Sequence, residues 1–304
     1  MTPFRGIALK LLSVALFAVM VACVKAARMT VPAGEAVFFR AFIALIPVTL
    51  WAIASGQGTR ALSTSNFRGH FWRGAVGASA MMLSFAALGF LPLPELTAIG
   101  FSAPLMTTIL AVFLLGETVR IYRWTAVVVG LFGVLVMIWP RLTELQNGIS
   151  AADGTGVLLG LASAGLMALA VIHVRWLSRS ESTLAIVFWF HVSCSAVALV
   201  SLPFGWVWPD LTTWALLIGA GIFGGVAQIL LTISYRMADA STLSPFDYSM
   251  MLYSLLIAWI LFEETPTTEV MLGAGIVIGA GLYILMRERR LGVTRPAPLR
   301  RNTP

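Results

Sequence analysis

Ten apolar runs without strand-like alternation divide the sequence, at about 6–24, 36–54, 74–91, 95–115, 124–139, 154–174, 183–203, 211–235, 243–262 and 269–286. Each approaches the roughly 20 residues a helix needs to cross a bilayer. Ten crossings take about 200 residues of the 304, which leaves nine connections and two tails and no room for a folded domain outside the membrane. Composition points the same way: 59% of residues are hydrophobic and 11% are charged, against about 25% charged in an ordinary soluble domain. The chain is therefore expected to be an all-α polytopic membrane protein with ten transmembrane helices. Most soluble enzymes, nucleic-acid binders and disulfide-stapled secreted modules are excluded by this arithmetic.

The breaks carry turn chemistry: Pro32 before Gly34, Leu91-Pro-Leu-Pro94, Pro140 to Asp153, and Pro266 after Glu263. Cys23 and Cys194 lie inside apolar runs with no second Cys or His at ligand spacing, so neither a disulfide framework nor a metal site is expected. No cofactor is expected. Arg5 and Lys10 before an apolar stretch ending Val-Ala-Cys23 imitate a signal peptide, but the repeat described next gives this segment a counterpart deep in the chain, and it reads as a permanent helix.

Sliding the sequence by 150 places Gly6, Ser13, Val21 and Lys25 on Gly156, Ser163, Val171 and Arg175. A slide of 147 places Ser102, Ala111, Glu117 and Thr118 on Ser249, Ala258, Glu264 and Thr265. The organisation expected is a first five-helix repeat over 1–140, an outer connecting loop over 141–153, a second five-helix repeat over 154–286 and a basic tail over 287–304. Five spans is an odd number, so the second repeat enters the membrane from the opposite face. Inverted repeats of this kind are a design of alternating-access transporters.

Sixteen of the 20 Lys and Arg fall in segments that share the side of the N-terminus, including the tail Arg287, Arg289, Arg290, Arg295, Arg300 and Arg301. The positive-inside rule then puts both termini in the cytoplasm, and a bacterial-type inner membrane is the expected location. The net charge of +7 is spent on orientation and anionic lipid headgroups; nucleic acid is not an expected partner.

On Glu35-Ala-Val-Phe-Phe-Arg40, Phe101-Ser-Ala-Pro104, Leu115-Gly-Glu117 and Trp124 with Gly130 and Gly133, the chain resembles the drug/metabolite transporter superfamily, specifically its EamA-type ten-helix members. The second half departs from the pattern: Met251 stands where Pro104 lands, and Glu263 where Gly116 lands. The resemblance implies a carrier of amino acids, riboflavin, S-adenosylmethionine, nucleosides or other small metabolites.

Ionisable groups inside a span are expensive and are functional candidates by default. Arg40 reads either as a snorkelling interfacial anchor or as a gate or a contact for a substrate carboxylate. Glu95 and Asp247 follow helix-breaking prolines and read either as first-turn acids or as cavity-edge acids for a proton or a cationic group. His191 and Gln228 lie well inside their spans. Phe101, Ser102, Phe246, Tyr248 and Tyr253 sit in spans expected to line the cavity, where rings stack on a planar substrate. Glu117 and Glu264 close two related helices and read as latches. The expectation is a secondary transporter, not an enzyme, that moves a flavin, an aromatic or other amino acid, or an S-adenosylmethionine-like compound. It works as monomer or homodimer in the lipid bilayer, with a proton on Glu95, Asp247 or His191 as coupling ion or by simple exchange. The competing readings are a membrane-embedded enzyme and a non-transporting membrane scaffold.

Overall fold

The computed structural model describes residues 3–55, 62–116, 120–146, 151–178, 180–237 and 243–290. Among them the helices are α1 (Pro3–Ala27), α2 (Ala33–Ala54), α3 (Phe67–Ala87), α4 (Leu93–Gly100), α5 (Ser102–Leu115), α6 (Ile121–Gln146), α7 (Ala151–Leu177), α8 (Thr183–Leu199), α9 (Leu211–Met237), α10 (Ser249–Phe262) and α11 (Thr268–Arg290), with a 3-10 turn over Ser244–Tyr248 before α10. α4 and α5 make one interrupted span, and the 3-10 turn with α10 makes its repeat counterpart. The architecture is ten spans in two inverted halves, all helical.

Several boundaries differ from the sequence reading, each for a local reason. α3 begins seven residues before position 74, because Asn66 Oδ1 accepts from the Gly69 amide at 3.0 Å and caps a polar first turn. α8 stops at Leu199, four residues early, where Ser201 Oγ turns back to donate to the Ala198 carbonyl. α6 continues through Pro140 to Gln146 and α7 begins at Ala151, so most of the connection expected over 141–153 is helical.

The inverted repeat is visible in individual bonds. Ser13 Oγ donates to the Ala227 carbonyl at 2.7 Å, and Ser163 Oγ donates to the Ala80 carbonyl at 2.8 Å. Ser163 is the counterpart of Ser13, and Ala227 that of Ala80. The helix pairings follow the same rule: α1 packs on α9 as α7 packs on α3, while α2 with α8 and α6 with α11 are each their own counterparts. These main interfaces join one half to the other. The halves interdigitate.

Two cores result. One gathers Met20, Val24, Ala41, Met81, Phe85, Cys194 and Leu217 from α1, α2, α3, α8 and α9. The other gathers Ile99, Leu105, Val134, Met251 and Val277 from the interrupted spans with α6 and α11. Glycine makes the close approaches: a Cβ on Gly221 would stand 2.5 Å from Ile43 Cβ, and one on Gly225 would stand 2.5 Å from Pro47 Cγ.

Candidate functional site

Two interrupted spans meet at the centre. α4 ends at Gly100 because Phe101 breaks the helical run, and the 3-10 turn ends at Tyr248, the residue 147 positions on. The rings of Phe101 and Tyr248 are in contact, with centroids 5.3 Å apart. Ser102 is fully buried, its hydroxyl donating to the Ile99 carbonyl at 2.7 Å; Phe246 and Tyr253 are half-buried in the counterpart span.

α1 presents a lysine near each of its ends. Lys10 is 1% exposed, its Nζ lying 2.5 Å from Asp247 Oδ1, 3.3 Å from the Tyr235 hydroxyl and 5.0 Å from the Tyr235 ring centroid. Fifteen residues on, Lys25 pairs with Glu264 Oε1, while Glu264 Oε2 accepts from the Leu93 amide at 3.0 Å. Glu264 therefore ties α1 to the start of α4, where its charge also favours the positive helix end. Both ion pairs bridge α1 to the same interrupted span of the other half. Fifteen residues of helix put the two lysines about 22 Å apart.

A third assembly gathers on α2, α3 and α8. Arg40 is 5% exposed and does not snorkel; its Nε is 3.3 Å from Met20 Sδ and its Nη1 is 3.7 Å from Met81 Sδ. Arg73 stacks its guanidinium 4.0 Å from the Phe190 ring centroid, with Nε and Nη1 buried and without a hydrogen-bond partner. His191 is fully buried and both its ring nitrogens also lack partners. Shared neighbours link them: Arg40 reaches Met81, Met81 Sδ is 4.0 Å from Cys194 Sγ on α8, and Arg73 lies on Phe190, the residue before His191.

The structure thus brings Asp247 and Tyr248, Phe101 and Tyr248, and Arg40 and His191 into three neighbourhoods. Glu95 is buried in the first turn of α4, and Gln228 is half-buried on α9 with its carbonyl accepting from Thr232 Oγ1. Glu117 lies outside the described residues. Sequence reasoning named none of Lys10, Lys25 and Arg73 as site candidates: Lys10 and Arg73 entered it as orientation charges, Lys10 also as part of a signal-like start, and Lys25 as the repeat counterpart of Arg175.

The described residues contain no group of three or more His, Cys, Asp or Glu suited to a metal. A model of the EamA-like transporter family matches residues 4–139 and 154–286. An S-adenosylmethionine uptake transporter of Rickettsia prowazekii is 31% identical over 262 residues, 84% of each chain. A riboflavin transporter of Brucella anthropi is 30% identical over 283 residues, covering 89% of this chain and 93% of its own. The pseudopaline exporter CntI of Pseudomonas aeruginosa is 28% identical over 290 residues, covering 94% and 97%. A solved crystal structure at 19% identity shares the fold with a TM-score of 0.68, over 95% of this chain and all of its own. The chain belongs to the EamA-like transporter family and is a multi-pass membrane transporter of small metabolites, not an enzyme.

Proposed function

We propose that this chain is a secondary transporter of the inner membrane, with both termini in the cytoplasm, that works by opening two ion-pair gates in turn. The observation that carries the reading is the placement of Lys10–Asp247 and Lys25–Glu264 at opposite ends of α1, each joining it to the interrupted span of the other half. With the N-terminus inside, Lys10–Asp247 closes the cytoplasmic end and Lys25–Glu264 the outer end. Because the halves interdigitate, the moving parts are the interrupted spans, which bend where Phe101 and Tyr248 break their helices.

Coupling follows from the same chemistry. Asp247 side-chain exposure is 51%, whereas Lys10 is 2% exposed, so a proton reaches Asp247 from water and cancels its attraction for the lysine. Protonation opens that gate; deprotonation closes it. The cargo classes are those its relatives are named for, S-adenosylmethionine-like compounds and flavins, together with amino acids. The test is uptake of labelled S-adenosylmethionine, tryptophan and riboflavin into proteoliposomes, with and without a pH gradient. Gradient-stimulated accumulation of one of them, lost in Asp247→Asn, is the expected result. Uptake of none above protein-free liposomes overturns the reading.

A further inference from the structure

Three cations of the first half end on oxygen. Lys10 meets Asp247, Lys25 meets Glu264, and Arg28 donates to the carbonyls of Phe85 at 3.0 Å and Val31 at 2.5 Å. Arg40 and Arg73 do not: no described carboxylate stands within 4.0 Å of either guanidinium. Their partners are two thioether sulfurs, which are weak acceptors, and the face of one phenyl ring. Two like charges buried in one low-dielectric region repel each other and have each lost hydration. Such an arrangement is short of one anion.

We propose that Arg40 and Arg73, flanked by His191, receive a carboxylate of the transported compound, so that the cargo is an acid-bearing metabolite of the amino-acid type and not an uncharged ring system. The inference rests on the transporter reading above and narrows its substrate class. The Arg73 guanidinium carbon lies 4.0 Å from the Phe190 ring centroid, and its buried Nε and Nη1 have no partner, which leaves N–H donors for a carboxylate. His191, the residue after Phe190, has two buried ring nitrogens without partners and adds a further N–H donor.

Two glycines make room for the arginine side chains themselves. A Cβ on Gly77 would stand 2.7 Å from Arg73 Nη1 and 2.7 Å from the Phe190 ring, and one on Gly224 would stand 2.8 Å from Met20 Sδ and 3.2 Å from Arg40 Nε. Depth agrees with a carrier site. Arg40 lies seven residues into α2, about 10 Å from one face, while Arg73 and His191 lie six and eight residues into helices that start at the other face, about 9–12 Å in. Phe190 is the repeat counterpart of Arg40, so the cluster sits near the pseudo-twofold axis, where inverted-repeat transporters hold their cargo. Arg73, the half-buried member, is the first contact for an arriving carboxylate, and Arg40 is the deeper one.

The test pairs compounds that differ by one carboxylate: S-adenosylmethionine with decarboxylated S-adenosylmethionine, and tryptophan with tryptamine. Binding to purified protein is read by thermal shift and titration, and transport separately in proteoliposomes. Wild-type protein is expected to bind one acid at least tenfold more tightly than its decarboxylated partner. That ratio falls toward one in Arg73→Gln and is partly kept in Arg73→Lys; the wild-type comparison stands even if a variant misfolds. Transport without preference for the acid overturns this inference and leaves the transporter reading intact. Preferential binding of the acid without transport does the reverse. Binding and transport of none of the four compounds overturns both. Stabilisation by chloride or phosphate that vanishes in Arg73→Gln, with no preference for the acids, assigns the site to an inorganic anion and overturns the inference.

Discussion

Phe101 and Tyr248 are repeat counterparts that touch: they break the two interrupted spans with the same backbone geometry, φ −67° and ψ −8° against φ −68° and ψ −15°, and their rings lie 5.3 Å apart at 61°. The contact therefore joins the two spans directly. A ring pair in this arrangement contributes about 0.5–1.5 kcal/mol beyond its buried area. A double-mutant cycle with Phe101→Ala and Tyr248→Ala, read as thermal stability in detergent, is expected to return a coupling in that range. Tyr248→Phe keeps it. Gly281→Ala removes it, because the new Cβ would stand 1.6 Å from Tyr248 Oη and drive the ring away. Strict additivity of the two alanine substitutions would show that the rings do not meet in the working protein.

The two serine bonds offer a check on symmetry. Ser13 and Ser163 donate to Ala227 and Ala80 at nearly the same length, 2.7 Å and 2.8 Å. Interhelical hydrogen bonds inside a membrane average about 0.6 kcal/mol, with a ceiling near 1.7. Ser13→Ala and Ser163→Ala should each lower stability by about that amount, equally, and additively in the double variant. Unequal losses measured by denaturant titration would mean that one of the paired interfaces α1·α9 and α3·α7 is held by something else.

Glu264 serves two partners at once, and its substitutions should separate them. Lys25 side-chain exposure is 10% and that of Glu264 is 23%, so Glu264→Gln strands a buried ammonium. Breaking such a pair costs about 3–5 kcal/mol when fully buried, and less here because Glu264 retains some water. Exchanging the charges, Lys25→Glu with Glu264→Lys, restores the ion pair. It does not restore the Leu93 amide, whose acceptor is Glu264 Oε2. Recovery of the melting temperature in the exchanged protein is therefore expected to be partial. Full recovery would show that the bond to Leu93 contributes nothing.

How far the sequence carries can be judged from these residues. Apolar runs specify the spans because lipid leaves a helix no alternative, and the slides of 147 and 150 expose the inverted halves. The same slides put Phe101 on Tyr248 and Ser13 on Ser163, so the counterparts were legible although their contacts were not. Contact depends on how helices rotate against each other, which no span boundary encodes. Arg73 shows the limit most clearly. Six residues from the start of α3, it looks like one more orientation charge, and only the packing of α3 on α8 brings it onto Phe190. Lys10 was hidden in the same way, because the aspartate that neutralises it lies 237 positions away.

Outside the spans, Glu181 gives the connections α2–α3 and α7–α8 a pH dependence. Its Oε1 is 3.3 Å from both the Ser65 amide and hydroxyl, and its Oε2 is 3.5 Å from His70 Nε2. Burial works against ionisation, but the Thr64 hydroxyl, His70 and the Ser65 amide outweigh it and hold the carboxyl below its ordinary value. A carboxylate depressed in the folded state contributes stability that is present above its unfolded pKa and lost as pH falls through the folded one. The melting temperature should therefore fall on acidification below the usual glutamate range, and Glu181→Gln should flatten that part of the profile while lowering the plateau at neutral pH. An unchanged acid limb in Glu181→Gln would assign the loss to other carboxylates.

Glu263 occupies a position that its own repeat assigns to glycine. Gly116 ends α5 at φ 64° and ψ 22°, donating its amide to the Ala111 carbonyl, and Glu263 ends α10 at φ 55° and ψ 25°, donating to Ala258, the counterpart of Ala111. A side chain in the left-handed region costs about 1–2 kcal/mol. Glu263→Gly removes that strain and gives back part of the gain, about 0.5–1 kcal/mol, through the greater freedom of glycine in the unfolded chain. The variant is expected to be more stable by up to about 1 kcal/mol, and Gly116→Ala to be less stable by a similar amount. Opposite shifts in melting temperature for the two substitutions are the measurable result. A loss of stability in Glu263→Gly would instead mean that the Glu263 carboxylate makes an interaction worth more than the strain it imposes.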